Sequence, residues 1–272
     1  MSEHEFDVFA RQDEYHTPSG IKVPLINRTP GLRSFYYHSA FVCGLLRRSW
    51  RLTKQGRFDE IAHAEAGFFY LRHMERAGAK VHITGLDNLN KTEGPAVFVA
   101  NHMSLCETFV LAPMIVARKQ KNSFVIKESL SRYPVFGPIV SSTKPVTVTR
   151  KKPREDFKQV MRQGQELLDS GRSVTIFPQN RRRQYLRQSE FNTIGAKLAA
   201  RAKVPLIPVA LRTDFLAPGK IILDFGRIRP ERPVCFAFGP PLGAEIDSRE
   251  RHRLCLEFIR SRLQDWNIPC MD

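Results

Sequence analysis

Apolar residues recur along this chain in two rhythms, one upstream of residue 81 and another downstream. From residue 81, short apolar runs alternate with helical stretches. Val81–Thr84, Ala96–Ala100, Ser123–Ile126, Val146–Thr149, Val174–Phe177, Leu206–Leu211, Ile221–Phe225 and Val234–Phe238 read as strands, being short and rich in β-branched and aromatic residues. Between several of them, and near the end, the spacing predicts helices at about 105–117, 154–169, 189–202 and 247–265. Asp169-Ser170-Gly171 supplies a helix stop ahead of Val174. Strands interleaved with helices predict an α/β domain over 81–272 whose sheet is covered on both faces. Upstream, apolar residues fall at helical spacing over about 32–54 (Phe35, Phe41, Val42, Leu45, Leu46, Trp50) and about 57–77 (Phe58, Ile61, Phe68, Phe69, Leu71). The first of these interleaves Arg33, Arg47, Arg48 and Arg51, as in a basic amphipathic helix lying in a membrane interface. An ordinary helix packed on the core has the same pattern. Residues 1–30 are polar and punctuated by Pro18, Gly20, Pro24 and Pro30, which predicts an irregular leader ahead of the helical element at 31–80.

Charge changes this picture. The 272 residues carry 43 Lys+Arg against 27 Asp+Glu, a net +16, and residues 118–203 alone hold 20 basic and 6 acidic side chains. A field of that sign attracts an anionic partner such as a lipid surface, a phosphorylated substrate, an acidic carrier protein or nucleic acid. Nucleic acid is disfavoured, since the basic region shows no zinc-finger spacing, RNA-recognition aromatic signature or helix-turn-helix. The apolar fraction of 42% and charged fraction of 26% are those of a folding globular chain. Five scattered cysteines without a C-x-x-C pair argue against a disulfide framework or zinc site. The opening Met1-Ser2-Glu3-His4-Glu5 does not read as a secretory signal, and no window reaches the roughly 18 apolar residues of a spanning helix. Contact with a bilayer is therefore expected to be peripheral or monotopic.

The candidate chemistry lies at the end of the Ala96–Ala100 run, where Asn101-His102-Met103-Ser104-Leu105-Cys106-Glu107 follows. Open α/β sheets place ligands at the carboxyl ends of strands. Within one helix, His102 and Glu107 would point about 140° apart. Just ahead of the helix, the imidazole can fold back to meet the carboxylate. An imidazole that takes a proton from an alcohol needs one nitrogen free and the other bonded to an acceptor that stabilises the imidazolium. Ser104-x-x-Glu107 is equally a capping box that only starts a helix, and Cys106 is a rival nucleophile beside His102. His63, His73 and His82 show no ligand spacing and read as structural.

With these residues in view, the sequence resembles the glycerolipid acyltransferases, which include the lysophosphatidic acid acyltransferases. Their first mark is N-H-x-x-x-x-D, matched here by Asn101-His102 and Glu107 with Glu for Asp. Val146-Thr147-Val148-Thr149-Arg150 is similar to the second family block, Val174-Thr175-Ile176-Phe177-Pro178-Gln179-Asn180-Arg181-Arg182 to the third, usually F-P-E-G-T-R, and Val204–Leu211 to the fourth. The blocks fall in order over 81–242.

The resemblance implies a mixed, largely parallel sheet flanked by helices, with an amphipathic two-helix element at the N-terminus. It implies an O-acyltransferase in which His102 and Glu107 are catalytic, moving a fatty acyl group from acyl-CoA or acyl carrier protein to a lysophospholipid hydroxyl. Asn101, Arg150, Pro178, Gln179, Asn180, Arg182 and Lys127 are then expected at the substrate. Neither a metal nor an organic cofactor is expected, because a thioester is already activated. The expected setting is the anionic cytoplasmic face of a membrane. Gln179 and Asn180 depart from the family's Glu and Gly, which opens the acceptor to alternatives such as a lyso-aminolipid. A non-catalytic lipid- or nucleic-acid-binding protein on the same scaffold is the rival of another class.

Overall fold

A computed structural model describes residues 3–119, 121–179, 181–220 and 222–272. Asn180, and Ile221 at the head of the strand expected over 221–225, lie outside the described residues. In chain order the strands are β1 (Tyr15–His16), β2 (Val81–Thr84), β3 (Val97–Ala100), β4 (Asn122–Lys127), β5 (Val146–Val148), β6 (Ser173–Ile176), β7 (Leu186–Arg187), β8 (Leu206–Arg212), β9 (Val234–Phe238) and β10 (Cys270–Met271). The helices are α1 (Glu3–Ala10), α2 (Pro30–Ala40), α3 (Arg47–Lys54), α4 (Glu60–Arg76), α5 (Cys106–Lys119), α6 (Phe136–Ser142), α7 (Pro153–Asp169), α8 (Ile194–Ala202) and α9 (Ser248–Asp265). Eight strands form one sheet in the order β1-β2-β9-β8-β3-β6-β4-β5, and β10 pairs with β7 separately. All pairings in the large sheet are parallel except β1 with β2 and β8 with β9. The expected mixed, largely parallel sheet is therefore present.

β3 sits near the middle of the sheet, between β6 and β8, and all four of its residues are buried. Its pleat divides them between two apolar layers. Phe98 and Ala100 join the layer under α4 and α5, and Val97 and Val99 join the layer that includes residues of α7, α8 and α9. Because successive strand residues face opposite sides, a strand covered on both sides must be apolar throughout. The continuous apolar run in the sequence has that cause.

The irregular leader expected over 1–30 is corrected. α1 packs Phe6 and Phe9 against Phe68 of α4, and β1 adds an antiparallel edge to β2, with Tyr15 opposite Ile83. Polar composition hid this, because two aromatic residues suffice to dock a short helix. Likewise the 31–80 element shares its core with the rest of the domain. Tyr37, Phe41, Leu45 and Ser49 are buried at four-residue intervals on one continuous helical rod comprising α2, a π-helical turn at Phe41–Leu46, and α3. Four-residue steps overshoot an α-turn by about 40° each. The wider π turn takes that overshoot back and keeps the four residues on one side. The opposite side exposes Leu32, Phe35, Val42 and Trp50. Among the described residues, no helix is long and apolar enough to cross a membrane.

α4 crosses α5 closely at Gly67. A Cβ there would stand 2.2 Å from the Phe109 carbonyl oxygen and 2.5 Å from Pro113 Cδ. Pro113 has no N–H to offer the Phe109 carbonyl four residues earlier, so that oxygen is free to take the close glycine. We expect Gly67→Ala to destabilise the fold by about 1–3 kcal/mol through overpacking, read as a lower urea midpoint at unchanged m-value.

The segment 222–225 is a turn, not the expected strand, and its apolar residues face outward. Ala217 N–H donates to the Arg227 carbonyl (3.0 Å) and Gly219 N–H to the Leu223 carbonyl (3.0 Å), so the chain folds back on itself. The start of α8 is also later than expected. The helical pattern from 189 is interrupted by a short 3₁₀ turn at Gln188–Glu190, after which the Asn192 side chain accepts from Ile194 N–H.

Candidate active site

β3 ends at Ala100, and the next residues turn across the carboxyl edge of the sheet. Asn101 Nδ2 donates to the Leu211 carbonyl (2.8 Å), and its Oδ1 accepts from Leu211 N–H (2.8 Å). This amide completes a ladder position with β8, so Asn101 holds the turn in place rather than facing a cleft. His102 is held at both backbone atoms. Its N–H donates to Gln179 Oε1 (3.1 Å), and its carbonyl accepts from Arg183 N–H (2.9 Å). The imidazole stacks on Phe177, with centroids 4.3 Å apart and planes at 20°.

Glu107, in the first turn of α5, is fully buried and places Oε2 2.5 Å from His102 Nδ1. Its other oxygen accepts from Met103 N–H (2.9 Å), Ser104 N–H (2.7 Å) and the Thr213 hydroxyl. Capping and orientation of the imidazole are therefore not alternatives, since each carboxylate oxygen does one of them. The hydrogen bond to Nδ1 leaves Nε2 as the ring nitrogen not engaged by Glu107. Ser104 links the parts. It accepts from Cys106 N–H (3.1 Å) and donates to Thr213 (2.9 Å), which in turn donates to Glu107. Thr213 lies one residue beyond β8 and 106 residues from Glu107, so no local pattern pointed to it.

Cys106 is not arranged as a nucleophile. Its thiol meets the Tyr70 hydroxyl at 3.4 Å, and burial pushes it above its ordinary pKa, the opposite of activation. Tyr70 in turn takes a hydrogen bond from the Tyr37 hydroxyl (2.6 Å), which ties the N-terminal rod to the first turn of α5.

Arg182 feels the charge of the pair, and Arg150 feels Arg182. Burial lowers the Arg182 guanidinium from its usual range, and the largest effect opposing that shift is the charge of Glu107. Burial and then the charge of Arg182 lower Arg150. Two cations within electrostatic reach of one another, the exposed Arg150 and the Arg182 that feels Glu107, can together seat an anion. Arg150 is presented by a left-handed residue, φ 59°, that follows β5. Asp156 in the first turn of α7 holds that turn, accepting from Thr149 N–H (2.7 Å) and Arg150 N–H (2.8 Å). Arg182 makes an ion pair with Asp224.

The remaining expected residues are placed differently. Gln179 is 1% exposed and its carbonyl accepts from His102 N–H, which holds the His102 backbone, while its Nε2 has no hydrogen-bond partner among the described residues. Pro178 is buried, its carbonyl taken by Asn192 Nδ2 at 2.5 Å. Lys127 ends β4 with an exposed side chain. His102 itself is 6% exposed. Among the described residues, no group of three or more His, Cys, Asp and Glu could hold a metal ion.

A strand end that offers an imidazole backed by a buried carboxylate, in a sheet layered between helices, defines an α/β protein with a histidine–carboxylate site. Residues 80–212 match the family described as Acyltransferase. It is similar to the 1-acyl-sn-glycerol-3-phosphate acyltransferase of Pseudomonas aeruginosa, 34% identical over 134 residues that cover 49% of this chain and 50% of that protein. It is also similar to the chloroplastic 1-acyl-sn-glycerol-3-phosphate acyltransferase LPAT1 of Arabidopsis thaliana, 30% identical over 157 residues covering 55% and 42%. The matched segment spans about half the length of the curated relatives. The crystal structure of the 1-acyl-sn-glycerophosphate acyltransferase PlsC from Thermotoga maritima shares the fold, with a TM-score of 0.64 over 89% of this chain and 98% of that one, at 17% identity.

Proposed function

We propose that this chain transfers a fatty acyl group from a thioester, acyl-CoA or acyl carrier protein, to a hydroxyl of a lysophospholipid such as lysophosphatidate. The observation that carries the reading is the 2.5 Å contact between His102 Nδ1 and Glu107 Oε2, on a chain whose residues 80–212 match the acyltransferase family. His102 Nε2 takes the hydroxyl proton as the oxygen attacks the thioester carbonyl. The tetrahedral intermediate then collapses with cleavage of the C–S bond, and the thiolate leaves with that proton. Arg150 and Arg182 grip the phosphate, to which guanidinium forks are matched. The relatives' names support lysophosphatidate as the acceptor.

The basic middle of the chain and the exposed apolar side of α2 and α3 support a setting on the anionic cytoplasmic face of a membrane, where both would rest. A panel of lysolipids offered with long-chain acyl-CoA and with acyl carrier protein tests acceptor and donor together. The lyso-aminolipid alternative rests on Gln179 and Asn180, of which Gln179 bonds to His102 N–H and Asn180 lies outside the described residues. In that panel Arg150→Ala is expected to raise the acceptor KM roughly tenfold or more, as loss of a charged hydrogen bond would, with kcat changed far less. An unchanged KM would remove Arg150 from the headgroup site.

A further inference from the structure

We propose that the turn at 222–226, together with the adjoining edge of α2, is a lipid-docking surface whose engagement passes Arg182 from Asp224 to the anionic acceptor. The inference rests on the reading of Arg182 as a headgroup-binding residue.

Asp224 makes an ion pair with Arg182, the guanidinium that also feels Glu107. A carboxylate offers a guanidinium the same pair of acceptor oxygens that a phosphate does. Asp224 therefore stands where the acceptor's phosphate would bind, as a competitor supplied by the chain itself.

The neighbours of Asp224 are unsuited to water. Ile222 is 58% exposed, Leu223 55% and Phe225 41%. Three large apolar side chains surround one acid in a single turn, a concentration that marks an interaction site rather than scattered surface residues. The base of the turn is fixed, with Leu216 bridged to Ile228. It is also attached to α2: His38 Nε2 donates to the Gly226 carbonyl (2.7 Å), the His38 ring lies 5.0 Å from that of Phe225, and Ile228 N–H donates to Ser34 Oγ (3.1 Å). Along α2, Leu32, Phe35 and His38 follow at three-residue spacing, which puts them on neighbouring positions of one side. Phe35 is 71% exposed. Turn and helix thus share one apolar edge.

The charges beside that edge select the partner. Arg28, Lys220 and Arg227 are exposed around it, the arrangement that seats an apolar wedge in a bilayer with anionic headgroups. Lipid phosphates at that depth repel Asp224, while Ile222, Leu223 and Phe225 gain by entering the acyl region. Both forces draw the acid away from Arg182.

The test uses a water-soluble short-chain lysophosphatidate as acceptor and acyl-CoA as donor, with and without vesicles of phosphatidylglycerol and phosphatidylcholine. For the wild type, vesicles are expected to lower the acceptor KM about tenfold. Asp224→Asn is expected to show the low KM without vesicles. The triple variant Ile222→Ser, Leu223→Ser, Phe225→Ser keeps the high KM in both conditions and co-sediments less with vesicles. An Asp224→Asn enzyme with the wild-type KM in the absence of vesicles overturns the proposal. So does a triple variant that binds vesicles normally but slows only with acyl carrier protein as donor, which would make the edge a carrier-protein site. Arg182→Ala separates the two readings. If it leaves KM unchanged, the headgroup assignment has failed. If it raises KM while Asp224→Asn changes nothing, only the docking inference has failed.

Discussion

Replacing His102 by alanine is expected to lower kcat for acyl transfer by about 10²–10⁴-fold, the contribution of a general base, while the protein still folds. The loss should be in kcat, because the hydroxyl proton is taken only as the C–O bond forms, whereas phosphate binding rests on other residues. The variant will not be silent in stability. It removes the partner of Glu107 Oε2, and a buried acceptor without a donor costs about 1–3 kcal/mol. A melting temperature lower by several degrees with an unchanged far-ultraviolet circular dichroism spectrum is the expected accompaniment. Turnover measured by thiol release from acyl-CoA decides the matter, and a His102→Ala enzyme with wild-type kcat would rule out the mechanism.

Glu107→Gln is the sharper probe, since it changes neither volume nor burial. Three donors converge on Oε1, namely Met103 N–H, Ser104 N–H and the Thr213 hydroxyl. The amide carbonyl must take that position, which turns the NH₂ group toward His102 Nδ1. Nδ1 then becomes the acceptor and the ring proton moves to Nε2, the nitrogen that has to receive a proton from the substrate. A wrong tautomer in a histidine–carboxylate pair costs on the order of 10⁴-fold in kcat. We expect a loss of that order with the acceptor KM changed by less than a few-fold. The Nε2-protonated tautomer should be visible in the ¹⁵N chemical shifts of His102. A fast Glu107→Gln enzyme would reduce Glu107 to a helix cap.

The histidine–carboxylate pair was legible because its parts are five residues apart along the chain, at the junction of an apolar strand and a helix. Sequence left two readings of Glu107 open, and the fold answered both, because a carboxylate has two oxygens and the turn at 101–105 brings donors to each. Gln179 was expected at the substrate, and the fold gives its carbonyl a further partner. From its place in a headgroup motif nothing indicated that its carbonyl would be taken by His102 N–H, a bond made only once β3 and β6 lie side by side. Thr213, Asp156 and Asp224 carried no signal, since each acts on a residue of another element.

The segment over 221–225 shows the limit of periodicity. A short apolar run is equally a buried strand or an exposed turn, and only the presence of a neighbouring strand distinguishes them. The leader shows the converse: Phe6 and Phe9 are too few to make a helical pattern, yet they dock α1 because Phe68 waits on α4.

By itself the sequence determined the layered α/β class, the order of nearly all the strands and helices, and the strand end that carries His102. Those depend on local spacing of apolar residues and on motifs of contiguous side chains. The tertiary structure alone decided which oxygen of Glu107 meets the imidazole, which polar side chains are spent on backbone rather than on substrate, and that Arg182 is held by an acid 42 residues away. These are directional contacts of a few ångströms between segments distant in the chain, and no one-dimensional pattern encodes their angle or partner.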